Sequence, residues 1–294
     1  MVVKDSIGEK IFKFCNIIIM IIMIVVTFYP FYYCLICSFS DSLSLIGERG
    51  IMLLPKGWNT STYLAVLNNP NIKTGYGITI FVVVVGTIVN LVMTSLGAFL
   101  LTRKRFAIRK GLTYMMLFTM YFSGGMIPTY LVVYKFLGLG DSLWSLIFPG
   151  AISVYNLIVM RTNFAALPDS LEEAAKIDGA NDWTVFSRIV LPLSKAIIAV
   201  MVLFYGVAHW NSWFNAMIYI RDRDKFPLQL VLREILLLNS TESMAGGAGS
   251  GDQFMIGEGI KYATIVVSTV PILCVYPFIQ KYFVKGMMIG AVKE

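Results

Sequence analysis

Two groups of residues in this chain could do chemistry. The first runs Glu172-Glu173-Ala174-Ala175-Lys176-Ile177-Asp178-Gly179-Ala180 and continues through Asn181, Asp182 and Arg188. It is charged, yet it lies between apolar segments long enough to cross a bilayer, so it has to face water, and it suits docking of a soluble partner. The second, His209-Trp210-Asn211-Ser212-Trp213, falls near the middle of an apolar run. Polar side chains at such depth need partners or a cavity, so this cluster either bonds helix to helix or meets a polar solute. Neither group is a catalytic constellation. His209 is the only histidine, and the chain has no G-x-S-x-G, no H-E-x-x-H and no G-x-x-x-x-G-K-[ST] phosphate loop. Cys34 and Cys37 form a C-x-x-C, but no second ligand pair accompanies them, and Cys15 and Cys274 likewise sit in apolar runs, where a thiol behaves as a small apolar group. No metal site is expected.

The elements that position these groups follow from composition. Apolar residues make up 57% of the 294 positions and charged residues 14%, against roughly a quarter charged in soluble domains. The solvent is a bilayer. Uncharged runs near or above the roughly 20 residues a crossing helix needs occupy Phe14 to Cys37, Gly77 to Leu101, Gly111 to Tyr134, Ser142 to Met160, Ala196 to Ile220 and Tyr262 to Gln280. The expected fold is therefore an all-α membrane protein of six transmembrane helices, with residues 1–13 as an N-terminal segment and 14–294 as the membrane domain. Within that domain lie a charged loop at 161–195 and a second loop at 221–261.

Orientation is read from Lys and Arg. With both termini in the cytoplasm, 15 of the 24 basic residues and 8 of the 17 acids fall on inner segments, which places the whole formal charge of +7 on that side. The basic pI then reflects topology, and no nucleic-acid partner is needed. The first run is too long for a signal h-region and lacks an A-x-A-like cleavage site, so it reads as a retained anchor. The six runs contain no Asp, Glu, Lys or Arg, which disfavours a carrier that binds coupling ions through intramembrane charges.

In the charged loop, Ser170 followed by Glu173 three positions on forms a capping box that starts a helix over Leu171 to Asp178. Glu173 serves as a cap alone or as a cap that also touches a partner. Gly179 ends the helix, because glycine takes a positive φ at C′ without steric cost. A second helix starts near Asn181 or Asp182 and carries Trp183, Val185, Phe186, Ile189 and Val190 on its apolar face towards Pro192. In the fifth run, His209 and Trp213 share a helical face by their i,i+4 spacing and Asn211 shares another with Asn215, so one pair packs and the other faces any pore. Ser123, Gly124, Gly125 and Pro128 loosen the third run and permit either a kink or an unwound turn beside a cavity.

The pattern E-A-A, three residues, G, nine residues, I-x-L-P, filled by Glu173, Ala174, Ala175, Gly179, Ile189, Leu191 and Pro192, resembles the signature loop of the membrane subunits of bacterial ATP-binding-cassette importers. Phe122 to Pro128, Gly138 to Ser142, His209 to Phe214 and Lys285-Gly286 resemble the carbohydrate importers of the maltose-transporter type, in their oligosaccharide and polysaccharide branch. The resemblance covers about Phe12 to Glu294, with the Gly-rich Ala245 to Gly251 as its one departure. It implies a permease without enzymatic activity of its own, paired with a second permease, driven by a separate ATPase dimer holding ATP and magnesium, and supplied by an extracellular solute-binding protein. It further implies that Glu172, Glu173, Ala174, Ala175, Asp178, Gly179 and Ala180 contact the ATPase. A carbohydrate path would run past Ser123, Gly124, His209, Asn211 and Trp213. The alternatives are a membrane scaffold that recruits an ATPase, or an importer of another solute.

Overall fold

With no water available inside a bilayer, each apolar run must satisfy its backbone internally, and helices do so. The computed structural model describes residues 6–45, 50–244, 259–274 and 277, and these are helical apart from turns, loops and one isolated bridge between Ser40 and Trp58. Two helices are long and unbroken, Ile7–Phe39 and Pro70–Thr102. The second begins seven residues before the predicted Gly77 and takes in Lys73, because Pro70 opens a helix with its φ already set.

The third, fourth and fifth runs are not single rods. Arg109–Tyr121 and Met126–Phe136 meet at 117°, Leu143–Gly150 and Val154–Ala165 at 49°, and the loop helix Asp182–Leu193 turns by 81° into Lys195–Trp210. The fifth run itself stops at Trp210 and resumes as Phe214–Tyr219. The sixth is helical over Gly259–Cys274. Its remainder, the Gly-rich Ala245 to Gly251 and Lys285-Gly286 lie outside the described residues.

The chain divides into two compact units. The first comprises residues 1–69 and 234–269. Here the upper part of Ile7–Phe39 is held by Met52 packing on Ile36 and Cys37, by Tyr33 edge-on to Tyr262 at 6.0 Å, and by Phe39 stacked on Trp58 at 5.0 Å. Its stretch from Ile17 to Val26 is exposed and apolar throughout, a surface that suits lipid.

The second unit comprises residues 70–233 and 270–294. Pro70–Thr102 packs along both Lys195–Trp210 and Val154–Ala165, around a core of Ala98, Phe99, Met160, Phe164, Met201 and Tyr205. Close approach is possible at Gly86, where an added Cβ would lie 2.6 Å from Nε2 of His209. Small residues let membrane helices approach in this way. Towards the other end of the same helix, away from the charged loop, Thr79 Oγ1 accepts the Leu228 N–H at 2.8 Å.

Candidate functional site

The charged loop begins at Pro168, which has the geometry of an N-cap (φ −59°, ψ 127°), and the helix covers Asp169–Ile177. This corrects the expected capping box: Ser170 is already helical, and Glu173 is exposed. Asp169 and Glu172 instead meet the positive end of the helix dipole in the first turn. They also reach across to the end of the Pro70–Thr102 helix. Lys104 Nζ lies 3.3 Å from Asp169, and Glu172 pairs with Arg103 and, at 2.6 Å, with Lys176. Arg103 stacks its guanidinium on Phe99, 4.1 Å from the ring centroid.

Burial works against the charge of Glu172, but the hydrogen bonds from Lys176 and Arg103 outweigh it and hold the carboxyl below the ordinary range. A lowered carboxyl pKa means that the tie is complete above the normal glutamate value and is lost as pH falls through the lowered one. At neutral pH the loop is therefore fully tethered. Removing the anion with Glu172→Gln leaves a part-buried guanidinium without its partner, a cost of about 1 to 3 kcal/mol. Tryptic cleavage at Lys176 and Arg188 should accelerate several-fold, and unchanged cleavage would refute the tether.

The helix ends in a Schellman motif. Gly179, at φ +83°, donates its N–H to the Lys176 carbonyl at 3.0 Å, and Ala180 donates to Ala175 at 2.9 Å. Asp178 is the C-cap. Asn181 then caps the second helix, its Oδ1 accepting the Thr184 N–H at 2.8 Å. Asp182–Leu193 widens to a π-turn over Phe186–Val190 and buries Val185, Phe186 and Val190. Ala175 and Ala180 pack on this core, whereas Ala174 is exposed. Trp183, one of the second helix's apolar residues, is 65% exposed, and Ile177 is 86% exposed. Leu171 is exposed as well, so each of the loop's two helices leaves a large apolar side chain uncovered. Beside these helices, a cavity of about 520 Å³ opens between Arg103, Lys104, Arg105, Asp169, Glu172 and Asp182.

The midplane cluster is arranged differently from the i,i+4 expectation. The helix breaks at Asn211, so His209 and Trp213 do not share a face. His209 turns to the Pro70–Thr102 helix and bonds Asn90 Oδ1 at 2.6 Å. Asn211 is exposed, and its amide donates to the Val207 carbonyl at 3.0 Å. Trp213 precedes Phe214–Tyr219, packs partly on the Val82, Ile147 and Ala216 cluster, and carries the Arg233 guanidinium 3.7 Å above its ring. Ser123 and Gly124 lie exposed in the turn of the third run, where Gly125 takes φ +88° and Ser123 Oγ accepts its N–H at 3.2 Å. Among the described residues no hydrogen bond or ring contact joins Ser123 or Gly124 to His209, Asn211 or Trp213.

Sequence reasoning missed Asn90, Arg103, Arg233 and Asp141. Asn90 had a readable signal, a lone amide within the run Val82 to Met93. Asp141 has φ +55°, and its carboxylate accepts the N–H groups of Arg221 and Asp222, each at 3.0 Å. The backbone hydrogen bonds from Asp222 and Arg221 lower its pKa, and Lys225, 3.3 Å away, adds to the effect. The hydrogen bond to Asp222 in turn raises that of Lys225. This clamp joins the turn after the third run to the loop after the fifth.

Residues 94–289 match the family described as the binding-protein-dependent transport system inner membrane component. The chain is 44% identical to Protein LplC of Bacillus subtilis (strain 168), over 97% of this chain and 95% of that protein. It is 42% identical to the polygalacturonan/rhamnogalacturonan transport system permease protein YtcP of the same organism, over 90% and 92%. Among solved structures it resembles a chain of a bacterial ABC transporter involved in the import of the acidic polysaccharide alginate. The TM-score is 0.85 and the identity 32%, covering 95% of this chain and 99% of that one.

Proposed function

Because the chain belongs to the family of binding-protein-dependent transport system inner membrane components, we propose that it is the permease subunit of an ATP-driven importer that moves an oligosaccharide across the cytoplasmic membrane. The observation that carries this reading is the loop at 169–193. It exposes Leu171 and Ile177 on a short helix and Trp183 on the next, and the direction of the first is fixed by the Gly179 turn and the tie to Arg103. A soluble ATPase dimer, itself the holder of ATP and magnesium, would seat this helix and pass its closure to the bundle. Glu173, Ala174 and Asp178 lie on the exposed side of the loop, while Ala175 and Ala180 support it from within.

The carbohydrate reading is supported by the polysaccharides named for YtcP and for the alginate importer, and by the breaks at 122–125 and 211–213. Irregular backbone at membrane depth is tolerated where it borders protein or a water-filled cavity, so Ser123, Gly124, Asn211 and the open parts of Trp213 would flank the path. His209 would act through Asn90 and not on the solute. The bias of basic residues towards the inner segments supports both termini lying in the cytoplasm. A second permease of similar design and an extracellular binding protein complete the assembly.

The test is ATP hydrolysis by the complex of this chain, its permease partner and its ATPase in lipid nanodiscs. Oligosaccharide-loaded binding protein should stimulate it at least about tenfold, a lowering of the rate-limiting barrier by about 1.4 kcal/mol. Stimulation by an amino-acid-binding protein, with none from any carbohydrate-binding one, would overturn the choice of solute.

A further inference from the structure

The bend in the fourth run frees backbone groups at membrane depth. Between Leu143–Gly150 and Val154–Ala165 the carbonyls of Gly150 and Ala151 and the N–H of Ser153 leave the helical ladder, where exposure to hydrocarbon would be costly. Two residue pairs satisfy them. On the Pro70–Thr102 helix, Asn90 is fully buried and its amide nitrogen donates to the Gly150 carbonyl at 2.6 Å and the Ala151 carbonyl at 3.0 Å. Since Asn90 Oδ1 can only accept, His209 Nε2, 2.6 Å away, must carry the proton and donate to it. On the Lys195–Trp210 helix, the Tyr205 hydroxyl accepts the Ser153 N–H at 3.3 Å and shares a 2.6 Å hydrogen bond with Thr94 Oγ1.

Asn90 with Thr94, and Tyr205 with His209, are i,i+4 pairs facing each other across one helix interface. The bend is thus gripped from both sides. The helix leaving this grip, Val154–Ala165, leads straight into the charged loop, separated from Asp169–Ile177 by residues 166–168.

We propose that Asn90 and Tyr205 are positioning residues that make the bend at 150–153 a fixed pivot, through which the Val154–Ala165 helix carries movement of the loop into the bundle. The inference rests on the permease reading given above. With the pivot held, displacement of the loop swings a rigid helix about a defined point. With the carbonyls unheld, the bend absorbs the displacement, and hydrolysis no longer drives transport.

The test uses the full complex with its ATPase. Asn90→Leu keeps shape but removes the donors; basal ATP hydrolysis should stay within about twofold, while uptake falls about tenfold or more, the effect of leaving buried carbonyls unpaired. Tyr205→Phe, which removes only a hydroxyl and is the variant expected to assemble in any case, should lower uptake severalfold at unchanged assembly. His209→Gln, whose amide can still donate to Asn90, should retain coupling, and His209→Leu should lose it.

A second measurement needs no solute. Spin labels on Phe148→Cys and Ala166→Cys, one on each side of the bend and both exposed, in a chain whose native cysteines are replaced, should change separation sharply on ATP addition. In the Asn90→Leu background the separation should be broad and unresponsive. Wild-type uptake and a wild-type distance change in Asn90→Leu, or in Tyr205→Phe should the first variant not assemble, would overturn the pivot. A wild-type complex that responds to ATP in the distance measurement but to no carbohydrate would instead overturn the solute assignment and leave the pivot standing.

Discussion

Gly179→Val is expected to abolish stimulation of ATP hydrolysis by loaded binding protein while the helices still insert and the chain accumulates normally. The reason is conformational and not a matter of space. A Cβ built on Gly179 meets nothing within 4 Å, but the residue sits at φ +83°, and left-handed backbone costs an L-residue about 1 to 2 kcal/mol, more for a β-branched one. That is enough to break the Schellman hydrogen bonds from Gly179 to Lys176 and from Ala180 to Ala175, and so to free the angle between the loop's two helices. Gly179→Asn separates the causes, because asparagine tolerates this region better than other side chains; it should retain most of the stimulation. Equal loss in the Asn and Val variants would mean that side-chain bulk at a docked surface decides the outcome. Normal coupling in Gly179→Val would remove the loop from the mechanism.

The second large effect is expected at Trp213. Its ring is held on one side by Arg233 and at its edge by Phe214, 5.4 Å away, and it adjoins the break through which a solute would pass. Trp213→Ala should lower uptake about tenfold or more, corresponding to an aromatic contact of about 1.4 kcal/mol, with the complex assembled but melting several degrees lower. Trp213→Phe keeps an aromatic face and should recover most of the uptake. Arg233→Ala removes only the cation-π contact, of about 0.5 to 2 kcal/mol, so it should lower the melting temperature and leave uptake largely intact. Indistinguishable effects from Trp213→Ala and Arg233→Ala would assign the indole to packing alone, and a stable, fully active Trp213→Ala complex would remove it from the path.

These two sites differ in how far the sequence reveals them. The loop was legible because its devices are local: a positive φ at Gly179, a cap at Asn181 and an apolar repeat at Val185, Phe186 and Val190 are all set by residues a few positions apart. Its start was misread because Ser170-x-x-Glu173 satisfies a capping rule that the ties from Lys104 to Asp169 and from Arg103 to Glu172 override, and those cations come from another helix. The exposure of Trp183 was not legible, because helical spacing alone cannot tell a buried stripe from a docking surface.

The apolar runs marked the helices, since hydrocarbon demands uncharged length, and Gly124, Gly125 and Pro128 signalled the break in the third, but the bends of the fourth and fifth were not foreseen from them. A bend depends on what satisfies the freed backbone. For residues 150–153 the answer lies at Asn90 and Tyr205, about 60 and 50 positions away in sequence. His209 illustrates the same point. Its depth and polarity were visible, yet its partner was not, and the break at Asn211 undid the face it was expected to share with Trp213.

The central claim, that the loop at 161–195 receives the ATPase at the cytoplasmic face, is tested most directly by sided labelling. In a chain with the native cysteines replaced, Lys176→Cys should react with an impermeant thiol reagent only from the cytoplasmic side, and the assembled ATPase should block that reaction. Ala248→Cys should react only from outside, with or without the ATPase. Labelling of position 176 from the exterior, or unchanged cytoplasmic labelling in the presence of the ATPase, would contradict the account.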